Sequence, residues 1–207
     1  MADKIVLWGA SGHARVVADI VRASGVYELA GFLDDLHPDR ADVLGGREQL
    51  PALRASGVTH LIVAFGNCEA RVEAARAAVA NGFTLATAVH PSAVISPSAR
   101  IGSGTVVAAN AVINPAAHVG ENVIINTGSS VDHDCVIGDG AHIGPGVRLA
   151  GGVRVGELTW VGIGAVVADG RTIGRKTMIG AGAVVISDIP DEVVAYGVPA
   201  RVVRKNV

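Results

Sequence analysis

The chain has 207 residues, half of them hydrophobic, with 17 Lys+Arg against 19 Asp+Glu, 27 Gly and only 3% aromatics. A formal charge of −2 supplies no basic field for a nucleic-acid backbone, and so few rings leave little for base stacking. The stretch Ile101–Gly120 lacks any Asp, Glu, Lys or Arg, but Ser103, Asn110, Asn114, Pro115, His118 and several Gly exclude a lipid-spanning helix there. No apolar run of signal-peptide length precedes the first Gly-rich turn, and Cys68 and Cys135 form no CxxC pair. The expectation is a cytoplasmic protein with no membrane span, no disulfide framework and no zinc site.

The first elements alternate. Ile5–Trp8 reads as a strand running into Gly9-Ala10-Ser11-Gly12, and Ala14–Ser24 as a helix with Val17, Ile20 and Val21 on one face. Leu29–Leu33 is a second strand, ending on Asp34-Asp35. A short helix follows at Arg47–Ala55, then a third strand at His60–Ala64 and an Ala-rich helix at Glu69–Ala80. Strands alternating with helices predict a small parallel sheet. The turn Gly9–His13 follows a strand and opens a helix, where backbone N–H groups can hold an anion. It is neither a Walker A loop nor a full GxGxxG, and a tight turn capped by Ser11 is the alternative reading. Gly66-Asn67 closes the third strand at the carboxyl edge, where ligands of such sheets bind.

Beyond Ala88 the period becomes six. Stepping by six from Val89 through Ile95, Ile101 and Val107 to Val185 meets only branched aliphatics, at 17 positions. A small or modest residue sits four places after nearly all of them, with Arg171 the misfit, and Gly often follows directly, as at 102, 120, 138 and 144. Each hexad is one short strand and a corner. Three hexads make an 18-residue coil, and stacked coils bury a continuous aliphatic stripe as a parallel β-helix, too narrow inside for rings. The Gly surplus and the scarcity of aromatics both follow.

Stepping by 18 places side chains over one another. Gly151 falls above His133, about 4.8 Å along the stack. His133 lies at a corner, flanked by Asp132 and Asp134. A carboxylate can orient an imidazole, and an acyl transfer from a thioester needs a base of near-neutral pKa. The outward column Val106, Ile124, His142, Trp160, Met178 is too apolar for water, and predicts cover by a neighbouring subunit or by the pantetheine arm of a cofactor. Cys135 takes a small inward position and reads as core. His90 and His118 lack metal-ligand spacing.

The segments GASGHARVVADI, FLDD, the hexads, INTGSSVDHDCVIGD and YGVPAR together resemble the hexapeptide-repeat acyltransferases, in particular the sialic-acid O-acetyltransferase-like branch of nucleotide-sugar acetyltransferases. The resemblance implies a Rossmann-like domain over residues 1–88 that binds a nucleotide sugar, a left-handed β-helix over 89–190 and a C-terminal tail, 191–207, packed on the helix end. It implies a homotrimer with acetyl-CoA in the grooves between subunits. By the same resemblance His133 is the general base and Asp134 its orienting partner, through a water where the family often has the longer Glu. The Gly151 N–H serves as oxyanion donor, while His142, with Trp160 beside it, meets acetyl-CoA. Gly9, Ser11, Gly12 and His13 lie near the diphosphate or sugar, Asp34 and Asp35 near the nucleoside, Asn67 at the same edge, and Asn126 near acceptor or base. The activity implied is N-acetylation of a nucleotide-linked 4-amino-4,6-dideoxy sugar without a metal. O-acetylation of a sialic-acid-like sugar and a non-catalytic sugar-nucleotide-binding scaffold remain the alternatives.

Overall fold

The computed structural model describes residues 2–206. In its N-terminal unit four parallel strands, β1 (Asp3–Trp8), β2 (Tyr27–Leu33), β3 (His60–Val63) and β4 (Thr84–Leu85), lie in the order β2-β1-β3-β4. The last of these, only two residues long, is invisible to sequence periodicity. Helices α1 (Gly12–Ser24), α2 (Leu50–Ala55) and α3 (Cys68–Ala80) connect them, a single 3₁₀ turn (Arg47–Gln49) leading into α2. The central strand β1 is apolar from Ile5 to Trp8 because helices cover both faces: Ile5 and Leu7 pack with Val17, Ile20 and Val21 of α1, and Val6 and Trp8 with Ala74, Ala75 and Ala78 of α3.

From Ala88 to Val185 the chain forms two-residue strands at six-residue spacing, stacked into three parallel sheets. Ladder pairs such as His118↔Val136↔Arg154 and Ile124↔His142↔Trp160 are 18 residues apart, so one coil is three hexads. The hexad aliphatics from Val107 to Val185, with Ala111, Ala117, Cys135, Ala141 and Ala165 at the small positions, form one core. The first three, Val89, Ile95 and Ile101, are half-buried, since they end the stack. Hydroxyls at small inward positions remain satisfied: Thr105 Oγ1 donates to the Gly120 carbonyl at 2.9 Å and Thr159 Oγ1 to that of Gly174 at 2.6 Å.

Two separate needs set the corners. Gly138, Gly144 and Gly162, each directly after an aliphatic, leave room for the next coil, because a Cβ there would come within 2.6–2.7 Å of its backbone. The left-handed residue comes two places later, where Gly alternates with Asn110, Asn122 and Asp134 at φ of 57°, 52° and 58°. Arg171, the misfit, turns its side chain toward Asp188 at 4.0 Å.

The N-terminal unit sits on the sheet that carries the column Val106, Ile124, His142, Trp160, Met178, and on one adjoining corner. Val106 packs with α1, and Val106, Ile124 and His142 are buried. The expected cover by a neighbouring subunit or a cofactor arm is therefore wrong for this upper half of the column, where the chain's own domain supplies it. Trp160 and Met178 remain 37% and 38% exposed. After the last coil, Val193–Gly197 extends the same sheet beside Met178–Ile179 and turns back as an antiparallel hairpin with Ala200–Lys205. Among the described residues no helix is long and apolar enough to cross a membrane, and no group of His, Cys, Asp and Glu is arranged to hold a metal ion.

Candidate active site

The predicted residues fall into two groups on different sides of the chain. The first is a cleft of about 440 Å³ at the carboxyl edge of the sheet, walled by Gly9, Ala10, Ser11, Asp34, Asp35 and Asn67, with Trp8, Arg47 and Phe65 beside them. Ser11 is extended at the start of α1 and its hydroxyl makes no capping bond, so the first-turn amides keep their donors for a ligand. Asn67 caps α3 by accepting from Ala70 N–H at 2.9 Å.

The two aspartates play unequal parts. Burial pushes the Asp34 carboxyl up, but the N–H groups of Leu36, His37 and Ala10, at 2.9, 3.1 and 3.1 Å, outweigh it and hold the carboxyl below its usual range. Asp34 thus organises the Gly-rich turn. Asp35 takes the Arg47 guanidinium at 2.8 and 3.0 Å, and Arg47 lies over the Trp8 ring at 5.5 Å. Sequence reading missed Arg47, the cation of the cleft wall, because an Arg opening a short helix carries no periodic signal.

Gly12 and His13 do not line this cleft. The His13 ring turns to the seam between the domains, 6.3 Å from the His142 ring. Burial, reinforced by the nearby Arg71 charge, lowers the His13 pKa to about 4. His13, expected near the diphosphate or sugar, thus lies at the seam beside the cleft and not in its wall, with its ring held neutral. His142 stacks on Trp160 at 4.6 Å, and burial, then Arg71, then His13, lower its pKa to about 3. Asn126 accepts from Thr127 N–H through Oδ1, which leaves its Nδ2 to donate to His142 Nε2 at 3.2 Å. That assigns the proton of His142 to Nδ1. Asn126 therefore belongs with His142 and cannot position His133 of its own chain.

The second group occupies the corner between the other two sheets, opposite the face covered by the N-terminal unit. Asp134 adopts φ 58°, and its Oδ2 accepts from His133 Nδ1 at 2.8 Å. The contact is direct, not water-mediated: the left-handed corner brings the shorter carboxylate back onto its neighbour. Asp132 Oδ1 accepts the His133 N–H at 2.7 Å and Asn114 Nδ2 at 2.8 Å, which pins the preceding turn. The Asp134 hydrogen bond first, and the Asp132 charge second, raise the His133 pKa above its ordinary value. The ring is 61% exposed and its Nε2 has no partner among the described residues. Gly151 lies over this ring, where a Cβ would meet His133 Cε1 and Nε2 at 2.6 Å. Glycine is needed here for the ring, since its φ lies outside the left-handed region. The Gly151 N–H donates to no group among the described residues. Cys135 is buried, with its thiol donating to the Ala150 carbonyl at 3.2 Å, as the core reading expects.

Residues 4–78 match the family described as PglD N-terminal domain, and residues 116–151 match bacterial transferase hexapeptide repeats. A structure of perosamine N-acetyltransferase from Caulobacter crescentus, with CoA and GDP-perosamine, is 45% identical, covers 98% of both chains and superposes with a TM-score of 0.95. The acetyltransferase domain of PglB from Neisseria gonorrhoeae, in complex with acetyl coenzyme A, is 37% identical over 98% of this chain and 100% of that one, at a TM-score of 0.90. UDP-N-acetylbacillosamine N-acetyltransferase of Bacillus subtilis is 37% identical over 111 residues, and the chain spans about half the length, 50%, of that relative. These likenesses run through both the α/β domain and the left-handed β-helix. The chain belongs to the hexapeptide-repeat acetyltransferases that carry a PglD-type N-terminal domain, a family of sugar N-acetyltransferases.

Proposed function

We propose that this protein transfers the acetyl group of acetyl-CoA to the 4-amino group of a nucleotide-linked 4-amino-4,6-dideoxy sugar. The observation that carries the reading is the His133–Asp134 hydrogen bond of 2.8 Å, with Nε2 open to solvent and the unengaged Gly151 N–H beside the ring. Asp134 holds the Nδ1 proton and so keeps Nε2 as the basic nitrogen. As the sugar amine attacks the thioester carbonyl, His133 Nε2 takes its proton and the new C–N bond forms. The Gly151 N–H receives the oxyanion of the tetrahedral intermediate. When the intermediate collapses, the C–S bond breaks and the thiolate leaves, the proton on His133 passing to it or to solvent. No step requires a covalent acyl-enzyme.

The Gly9–Ser11 turn holds the diphosphate, with Arg47, and the nucleoside lies against Trp8, Asp35 and Phe65. The whole-chain identity of 45% to an enzyme bound to GDP-perosamine favours a GDP-linked over a UDP-linked sugar. Cleft and base lie on opposite sides of one chain, so a working site needs two chains. We assign the cleft and the His142–Trp160 face to one subunit and the His133 corner to the next, closed as a homotrimer, with residues 1–88, 89–190 and 191–207 acting as sugar-nucleotide domain, β-helix and closing tail. The exposed Trp160 lines the path of the pantetheine arm, with the buried His142 stacked behind its ring. Dependence on acetyl-CoA supports a cytoplasmic setting.

The test is thiol release from acetyl-CoA with GDP- and UDP-linked 4-amino sugars beside free sialic acid. Turnover confined to a 4-amino sugar nucleotide is expected. Turnover of sialic acid alone would replace the reading with O-acetylation, and failure to bind any CoA would leave a scaffold.

A further inference from the structure

Arg71 is a buried cation of the seam that the proposed chemistry does not use. It lies on the third helix, in an Ala-rich stretch where a charged residue reads as solvated surface, yet it is 1% exposed. Its guanidinium has five N–H donors, and five carbonyl oxygens surround them: Nε donates to Asn122 at 2.9 Å, Nη1 to Phe65 at 3.2 Å and Gly66 at 2.8 Å, and Nη2 to Gly140 at 2.7 Å and Ala141 at 3.2 Å. Among the described residues no carboxylate pairs with it. Asn122 and Gly140 are left-handed corners of successive coils, and neither carbonyl accepts a backbone hydrogen bond. Phe65 and Gly66 belong to the loop that ends β3. Phe65 walls the cleft, and Gly66 rests against the β-helix, a Cβ there standing 3.6 Å from Trp160 and 3.8 Å from His142.

We propose that Arg71 is a positioning residue for the acyl transfer: it fixes the Phe65–Gly66 wall of the cleft against the His142–Trp160 face of the β-helix, so that a bound sugar nucleotide presents its amine at one set point along the acyl groove. This rests on the cleft being the sugar-nucleotide site. Away from the linker, where Thr87 and Ala88 bond to Gly102 and Thr105, the domains otherwise meet through apolar contacts and the Lys176–Glu69 ion pair at 2.8 Å, which permit small sliding. A planar fork bonded to two domains does not. Burying a cation without an anion is costly, and simple cohesion of the domains would be served better by an aliphatic side chain. A bonded fork gives what an aliphatic cannot, a fixed register, and a misplacement of about 1 Å costs roughly a hundredfold in rate. Lysine is no substitute, since its point charge lacks the planar donor set. The titratable groups facing Arg71 are Cys68 on its own helix, His13 on α1 and His142 on the β-helix, none of them an anion at neutral pH.

The experiment compares wild type, Arg71→Lys and Arg71→Met for melting temperature, for GDP and UDP affinity by calorimetry, and for kcat and KM in thiol release. The expected result is that Arg71→Lys folds, keeps its nucleotide Kd within about threefold and loses at least tenfold in kcat. A purely structural role would instead lower the melting temperature and leave the kcat of the folded fraction alone. Full kcat in Arg71→Lys would overturn the proposal. So would an equal loss of nucleotide affinity and kcat, which would mean that Arg71 shapes the cleft and not the register. Failure of both variants to fold would overturn it too, making Arg71 a stability determinant. A wild type that neither binds a nucleoside diphosphate nor acetylates a nucleotide sugar would bring down the functional reading itself, and this proposal with it.

Discussion

A methyl group at residue 151 separates base placement from every other part of the mechanism. In Gly151→Ala the new Cβ would stand 2.6 Å from His133 Cε1 and Nε2, where ordinary contact begins at 3.4 Å. The ring must therefore retreat by about 1 Å, and the cheapest retreat swings it toward solvent, breaking the 2.8 Å bond to Asp134. The backbone at 151 lies outside the left-handed region, so alanine adds no strain, and the amide N–H stays in place as oxyanion donor. Because the ring is 61% exposed, stability should move by no more than about 0.5 kcal/mol. The base, however, loses its place, and a displacement of this size costs about a hundredfold in kcat, or about 2.7 kcal/mol of barrier. Thiol release gives kcat and KM, and a thermal scan gives stability. The double variant with His133→Ala completes the cycle: it should be no slower than His133→Ala alone, since both changes act on one group. A kcat within threefold of wild type at unchanged melting temperature would refute the placement of His133 as base over Gly151.

Asp134→Asn keeps an acceptor and tolerates the left-handed backbone, but weakens the carboxylate hydrogen bond that is the main cause of the raised His133 pKa. The acid limb of the kcat/KM profile should shift to lower pH, with kcat reduced about tenfold, and an unmoved limb would exclude His133 as the titrating base. His13 and His142 are held neutral, near 4 and 3, so between those values and the unfolded value of about 6.5 the unfolded chain binds more protons and stability falls with pH. At pH 5 each ring should contribute a loss of about 2 kcal/mol, relieved for one ring in His13→Gln, and equal melting temperatures at pH 7 and pH 5 would contradict this burial. Trp160→Ala removes the 4.6 Å stack on His142 from an exposed position. It should raise KM for acetyl-CoA about tenfold with the sugar-nucleotide KM unchanged, and the reverse split would place the indole on the sugar side instead.

Much of the site was legible because the hexad rule works as a ruler. It located Gly151 over His133 and put Trp160 beside His142, each from an 18-residue step, and placed Cys135 in the core from its position in the hexad. The direct Asp134 contact was not legible, because it depends on a left-handed corner that Gly, Asn and Asp share with Ala116, Leu158 and Lys176 without a fixed code. The turn of the His13 ring toward the seam was not legible either, because it follows helix orientation and not chain proximity to the Gly-rich turn. Arg47 and Arg71 went unnoticed for a related reason: an arginine on an amphipathic or Ala-rich helix looks solvated until the partner surface is known.

Alone, then, the sequence determined everything that a local repeat enforces: a β-helix of 18-residue coils, an aliphatic core without rings, an alternating α/β unit before it, and a His-Asp pair beside a Gly column. Each follows from short-range sterics and periodicity, which are written residue by residue. Only the tertiary structure decided how the two units meet. The α/β unit covers the face of Val106, Ile124 and His142, Arg71 fastens it by joining carbonyls of its own Phe65–Gly66 loop to those of two β-helix corners, and His133 is left on the opposite corner. Those contacts join residues with no common period, so their geometry exists only once both units have folded against each other, and it is this geometry that leaves cleft and base on separate sides of one chain.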